Sequence, residues 1–169
     1  AAFINSALAI LPNSIFLKLN FRESLAAQNK TDEALKVYDE LLLKYPGQID
    51  AWIKKADLLA QKNDLSGSTA ALEKAYALAP QDMELTGNLA FNYAKTKNAK
   101  ALALADTIIA YDKKGLSAEP YYFKGVYYDN INNKNRALEQ FDLAIQKDYN
   151  FLDAYMEKGR ILYERKKTA

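Results

Sequence analysis

Residues 121–144 read YYFKGVYYDNINNKNRALEQFDLA, and the spacing within this stretch decides the fold. Its first half carries an aromatic residue, a glycine and a second aromatic residue on one helical stripe, namely Tyr121, Gly125 and Tyr128. Its second half repeats that spacing with small and aromatic residues, namely Ala137, Phe141 and Ala144. A polar, asparagine-rich segment joins the halves. The pattern predicts two helices connected by a short turn.

Both halves recur along the chain with a period of about 34 residues. The first half is repeated at Trp52, Ala56 and Leu59 and again at Tyr155, Gly159 and Leu162. Its last position steps 25→59→93→128→162, in intervals of 34, 34, 35 and 34 residues. The second half also recurs, and three of its copies end in a proline. These prolines lie 34 residues apart, at Pro12, Pro46 and Pro80. A fixed period of this length indicates a stack of repeated helical units.

These motifs resemble the tetratricopeptide repeat family, whose unit reads W-x2-L-G-x2-Y, then A-x3-F, then P. The resemblance covers essentially the whole chain and implies an all-α, right-handed solenoid of antiparallel helix pairs. It further implies a single domain over 1–169 with about four full repeats and a partial repeat at each end. The expected units are 1–14 (a lone second helix), 15–48, 49–82, 83–117, 118–151, and 152–169 (a lone first helix or C-terminal cap).

The pattern also predicts individual helices and contacts. The expected helices are 1–11, 15–28, 31–45, 49–62, 65–78, 82–96, 98–112, 117–131, 134–147 and 151–166. Small first-helix residues are expected where paired helices approach most closely, at Ala56, Ala90, Gly125 and Gly159. One connection, around 112–118, is two residues longer than its counterparts. We expect Gly115 to end the helix before it, Ser117 to cap the next and Pro120 to lie in its first turn.

Composition excludes several classes of function. The chain contains no Cys and no His, which removes thiol nucleophiles, imidazole bases and Cys/His metal sites. The 23 basic and 21 acidic residues leave a formal charge of +2, without the basic excess typical of nucleic-acid binders. No phosphate-binding loop, nucleophile motif or membrane-length apolar run is present. We therefore expect no catalytic residue, no cofactor, no metal, no nucleic-acid partner and no membrane insertion in this segment.

In this family the first helices line the inner wall of the solenoid, and the resemblance carries a set of positions onto that wall. The predicted groove residues are Leu19, Ile53, Lys54, Asp57, Asn88, Phe91, Tyr122, Val126, Met156, Arg160 and Tyr163. We expect a mainly apolar track with carboxylates beside it, in which Phe91 and Tyr122 anchor a ligand. In the alternative interpretation, these side chains bind no ligand and are apolar only because they pack between neighbouring first helices.

The resemblance implies a non-catalytic scaffold that binds a peptide or helix of another protein. Co-chaperones of this family hold acidic tails with a Lys, Asn and Arg clamp, but here the equivalent positions include Leu19, Glu23 and Glu84. That subclass is therefore excluded. Self-association through the apolar helix 1–11, as a structural spacer, is a second hypothesis, and an RNA-binding helical repeat is a third. The excess of Lys over Arg favours a bacterial origin, in the cytoplasm or in the periplasm and cell envelope.

Overall fold

The computed structural model describes residues 31–168. Within this range the chain forms eight α-helices and no strand, which confirms the predicted all-α, tetratricopeptide-like fold. The helices are α1 (Thr31–Lys44), α2 (Ile49–Gln61), α3 (Leu65–Leu78), α4 (Met83–Lys95), α5 (Lys100–Tyr111), α6 (Glu119–Asn130), α7 (Lys134–Lys147) and α8 (Leu152–Thr168). Each begins and ends within two residues of its predicted position. The predicted helices 1–11 and 15–28 lie outside the described residues, and the handedness and repeat boundaries stay predictions.

The described residues form two compact units, one ending at Ala79 and one beginning at Pro80. In the first unit, α2 packs against both α1 and α3. In the second unit, each helix from α4 to α8 packs against its neighbour in sequence, and α4 also packs against α6. Contact between α4 and α6, which are both first helices of their repeats, is the stacking expected between successive repeats.

Three turns between paired helices share one backbone conformation. Asn63, Lys97 and Asn132 have φ values of 61°, 60° and 62°, so each lies in the left-handed region. In each case the next residue is an Asp or Asn whose side-chain oxygen accepts a backbone N–H of the following helix. The acceptors are Asp64 (from Gly67, 2.8 Å), Asn98 (from Lys100, 3.0 Å) and Asn133 (from Arg136, 3.3 Å). The recurring turn therefore ends one helix and starts its partner.

Helices α6 and α7 approach each other closely at Gly125. A Cβ atom built on Gly125 would lie 2.4 Å from Cε1 of Phe141, whose side chain is fully buried. At the corresponding positions of the preceding repeats, Ala56 and Ala90 are also buried. The expected close contact is therefore confirmed at Gly125, and the burial of Ala56 and Ala90 agrees with the same expectation. The expectation for Gly159 is wrong, because a Cβ there meets nothing within 4 Å; no helix in 31–168 packs on that side of α8.

The long connection after α5 is organised by one carboxylate. The side chain of Asp112 accepts backbone N–H groups of Lys114 (3.1 Å), Gly115 (3.0 Å) and Ser117 (2.6 Å). The expectation that Gly115 ends α5 is wrong, because this helix ends before Asp112. Gly115 instead takes the left-handed conformation (φ 64°) inside the turn. The expected Ser117 cap is wrong, because Ala118 precedes α6 and no side chain caps it, whereas Pro120 lies in the first turn as expected.

We expect Gly125→Ala to destabilise the protein by about 1–3 kcal/mol, because the new methyl group overlaps the immobile ring of Phe141. Gly159→Ala is the matched control and should stabilise by about 1 kcal/mol, since it adds helix propensity in open space. Urea unfolding of the two variants measures both changes. Equal effects at the two glycines would contradict the packing described for Gly125.

The hydrogen bonds from Ser117, and then those from Leu116 and Lys114, lower the pKa of Asp112 to about 2 from its ordinary value of 3.8. A depressed folded-state pKa stabilises the fold above pH about 4, and this contribution disappears as the pH falls from about 4 to about 2. We expect Asp112→Ala to lower the Tm at pH 7 and to flatten the acid dependence of the Tm in that window. Thermal melts between pH 2 and 7 test this; parallel curves for wild type and variant would contradict it.

Candidate protein-binding surface

The first unit carries three of the predicted groove residues on one helix. Ile53, Lys54 and Asp57 lie on α2, where Ile53 is half-buried and the other two are exposed. Neighbouring atoms exclude part of the water around the Asp57 carboxyl, which raises its pKa, while the Lys54 ammonium opposes the shift. Leu19 lies outside the described residues. In this unit the predicted wall therefore consists of one apolar side chain flanked by two ionisable groups.

A cleft of about 390 Å³ lies elsewhere in the first unit, between α1, α2 and α3. Trp52 lines it and donates its indole N–H to the Pro46 carbonyl (2.8 Å), which fixes the ring. Lys55 closes one side through an ion pair with Asp39 (2.6 Å). Neither Ile53 nor its predicted neighbours line this cleft, so it is separate from the predicted groove.

The second unit brings the two predicted anchors into contact. The rings of Phe91 on α4 and Tyr122 on α6 stack with centroids 6.0 Å apart and planes 26° apart. Both rings are half-buried, so each keeps a solvent-accessible part. We call the apolar surface that continues from this pair the aromatic face; its members are Phe91, Tyr122, Val126, Met156 and Tyr163. Met156 and Tyr163 on α8 are 62% exposed, which makes them the most accessible members.

The aromatic face rests on a second layer of rings that fixes Tyr122. Its ring centroid lies 5.8 Å from that of Phe141 and 5.2 Å from that of Phe151, in both cases with the planes inclined. Phe123 adds a third contact at 6.3 Å. Inclined rings at these separations are favourable because the edge of one ring meets the face of another. Tyr122 is therefore both a surface residue and part of the core.

Burial, assisted by the nearby carboxylates of Asp153 and Glu157, raises the pKa of Tyr122 to about 12 from 10.0. The phenol consequently keeps its proton at any physiological pH. Its hydroxyl remains available as a hydrogen-bond donor beside two acidic side chains. This combination suits a ligand with both apolar and basic groups.

Carboxylates mark one edge of the aromatic face. Each of its three first helices carries an acidic residue in its first turn: Glu84 on α4, Glu119 on α6 and Asp153 on α8. Acidic groups at this end of a helix are stabilised by the helix dipole, so their presence has a structural reason as well. At the other end, Lys95 lies 5.1 Å from the centre of the Phe91 ring. The predicted Asn88 is exposed on α4 between these two ends.

Arg160, the predicted cation of the groove, is already engaged by carboxylates of its own chain. Its guanidinium donates to Glu157 (2.8 and 2.9 Å), to Glu164 (2.8 Å) and to Asp129. Loss of solvent lowers the pKa of Arg160, but hydrogen bonds to these three acids outweigh it and raise the pKa above its ordinary value. Lys134 joins the network through Asp129 (2.6 Å). Arg160 therefore contributes little free positive charge to a ligand.

Of the predicted residues, the structure brings together Phe91, Tyr122 and Val126 in one layer of the second unit, with Met156 and Tyr163 exposed on α8. Sequence reasoning missed Phe123 and Phe151, because the repeat pattern assigns neither of them to a buried or a wall position. It also missed the ion network of Arg160. The spacing of Glu157, Arg160 and Glu164, three and four residues apart, is a signal that could have revealed it.

None of the helices between residues 31 and 168 combines the length and the apolar character that crossing a bilayer requires. In the same part of the chain, no cluster of three or more acidic side chains is arranged to hold a metal ion.

A protein-family model matches part of this chain. Residues 23–82 match the model of the tetratricopeptide repeat family. Among curated proteins, no sequence matches this chain. Similar solved structures share its fold at low sequence identity.

Three of these structures illustrate the fold similarity. A tetratricopeptide repeat protein from Parabacteroides merdae superposes with a TM-score of 0.82 at 16% identity, over 95% of this chain and 63% of that one. YrrB, described as a TPR protein with an unusual peptide-binding site, gives a TM-score of 0.69 at 20% identity, over 96% and 84% of the two chains. MamA from Desulfovibrio magneticus gives 0.70 at 18% identity, over 89% and 84%.

We expect Arg160→Met to lower the free energy of unfolding by about 1 kcal/mol or less, because the guanidinium is 42% exposed and solvent screens its ion pairs. The loss should shrink in about 1 M salt. Lys124→Met is the control, since it removes a single ion pair, to Asp106 at 2.5 Å, and should have a smaller effect. Urea unfolding at two salt concentrations measures the difference. A loss unaffected by salt would contradict an electrostatic role for Arg160.

Proposed function

Because this chain is built from tetratricopeptide repeats, we propose that it is a non-catalytic scaffold that binds a peptide or helix of another protein. We assign binding to the aromatic face of the second unit. The observation that carries this assignment is the stacked pair of Phe91 and Tyr122, whose rings are held in place from below and half-open above. Rigid aromatic rings contribute large contact area at small entropic cost, and they dominate the energetics of protein interfaces.

The charges around the aromatic face define the partner that it fits. Its acidic edge favours Lys or Arg in the bound segment, beside apolar side chains that cover the rings. An acidic segment would meet repulsion at that edge and would find Arg160 already paired. We therefore propose an apolar segment carrying basic residues as the ligand.

The comparisons and the composition support this proposal in general terms. YrrB, which shares the fold, is described as having a peptide-binding site. The sequence contains no His or Cys, the residues most used in nucleophilic and acid–base catalysis. The acidic edge also disfavours a polyanion such as RNA as the ligand.

The proposal is tested by selecting peptides from a random displayed library against the immobilised chain. We expect the enriched peptides to combine aromatic or aliphatic residues with Lys or Arg. Phe91→Ala should weaken their binding about tenfold or more, because it removes half of the stacked pair. Fluorescence anisotropy with a labelled enriched peptide measures the change.

Two controls separate binding from stability. Tyr149→Ala removes an aromatic residue that is 78% exposed outside the aromatic face, and it should leave binding unchanged. Tyr122→Phe should retain the ring contacts and reveal any role of the hydroxyl, whereas Tyr122→Ala would also disturb the core. Enrichment of acidic peptides, or equal binding by wild type and Phe91→Ala, would refute the proposal.

A further inference from the structure

The last helix of the second unit exposes an unusual amount of apolar surface. Along α8, the side chains of Leu152 (66% exposed), Tyr155 (46%), Met156 (62%), Leu162 (46%) and Tyr163 (62%) are accessible to solvent. Their spacing, together with Gly159, follows i, i+3, i+4, i+7, i+10 and i+11, so they form one continuous stripe. We call these residues the α8 stripe. The opposite side of the helix, with Ala154 and Ile161, is fully buried in the core shared with α7.

Equivalent positions in the preceding repeats are covered. The residues one repeat earlier than Tyr155 and Leu162 are Tyr121 and Tyr128, and both are half-buried. Two repeats earlier, Thr86 is fully buried and Tyr93 is 4% exposed. In each of these repeats a second helix supplies the cover, as α7 does for α6. The α8 stripe thus has the composition of a buried helix face but has no such cover within residues 31–168.

The arrangement of the α8 stripe points to what covers it. Apolar residues lie three and four positions on either side of Gly159: Met156 and Tyr155 before it, Leu162 and Tyr163 after it. A face that reads the same in both directions is self-complementary to a second copy turned by a two-fold axis through its centre. The glycine at that centre allows two helix backbones to approach closely.

The charges of α8 favour the same antiparallel arrangement. Its first turn carries Asp153, and its last turn carries Arg165, Lys166 and Lys167. Turning the second copy end to end places the acidic start of each helix beside the basic end of the other. The helix dipoles are then opposed as well, which is favourable. A parallel pair would instead bring like charges together at both ends.

We infer that the α8 stripe is a homodimerisation surface, on which α8 of a second copy packs antiparallel with Gly159 at the two-fold axis. A helix of 17 residues is about 26 Å long, so the interface is small. Interfaces of this class fall at or below about 1,200 Å², and a dissociation constant in the micromolar range is expected. This surface is additional to the proposed peptide site, although Met156 and Tyr163 belong to both.

Sedimentation equilibrium of the full 169-residue chain, between about 1 and 300 μM, tests the inference. We expect a reversible monomer–dimer equilibrium for wild type. Leu162→Glu should weaken it at least tenfold, because it would bury a carboxylate against the apolar side chains of Met156 and Tyr155 of the second copy, once on each side of the axis. Leu78→Glu is the matched control: Leu78 is 45% exposed on a different helix, and its substitution should leave the dimer intact. Circular dichroism melts verify that both variants fold.

Cysteine cross-linking tests the geometry, and the natural sequence contains no Cys that could interfere. At an interaxial distance of roughly 8–10 Å, facing Cα atoms on cylinders of about 2.3 Å radius lie about 3–5 Å apart, which reaches the disulfide range. Gly159→Cys should therefore cross-link to itself under mild oxidation, unlike Leu43→Cys at an 88% exposed site. Leu152→Cys should cross-link to Lys166→Cys when the two proteins are mixed, and poorly to itself.

Each alternative gives a different result. A chain that stays monomeric at every concentration overturns the inference, and so does a dimer that Leu162→Glu leaves unchanged. Efficient self-cross-linking of Leu152→Cys would show a parallel pair and overturn the antiparallel geometry. If Phe91→Ala loses peptide binding but still dimerises, or if Leu162→Glu binds peptide but no longer dimerises, the dimer surface and the peptide site act independently.

Discussion

The constraint on which the rest of the second unit depends is the close approach of two paired helices at a residue without a side chain. Gly125 lets the ring of Phe141 lie directly against the backbone of α6. That ring in turn supports Tyr122, which stacks with Phe91 on the surface. A single chain of contacts therefore links the innermost packing position of one repeat to the residues that face a partner. The geometry of the proposed site follows from the helix packing beneath it.

Most of the fold could be predicted from the sequence, because a 34-residue period fixes both the helix ends and the small contact positions. The features that could not be predicted depend on neighbours that the period does not specify. Gly159 occupies the same position of the repeat motif as Gly125, yet no other atom of residues 31–168 lies close to it on that side of α8. Asp112 organises its turn from outside the repeat motif, and it replaces the cap expected at Ser117.

The predicted binding site likewise has features that the sequence predicted and features that it did not. Helical spacing placed Phe91 and Tyr122 on adjacent first helices, and their contact is observed. Spacing alone did not reveal that Tyr122 also belongs to the core or that Arg160 is neutralised by three acids. The rings against Tyr122 come from Phe141 and Phe151, outside its own helix. Of the acids around Arg160, only Asp129 comes from another helix, whereas Glu157 and Glu164 lie on α8 itself. The residue types on the wall could thus be predicted, whereas their division into ligand-facing and structural roles required the three-dimensional contacts.

The turn after α5 has a practical consequence. Its two additional residues are absorbed before α6 begins, and the next three helices keep the regular repeat spacing. Backbone hydrogen bonds to one side chain hold the turn, while Lys113 and Leu116 point outward. A fluorophore or an immobilisation linker attached to the side chain at either of these two exposed positions therefore leaves the hydrogen bonds of the turn intact. The protein thereby offers a handle for immobilisation away from the termini.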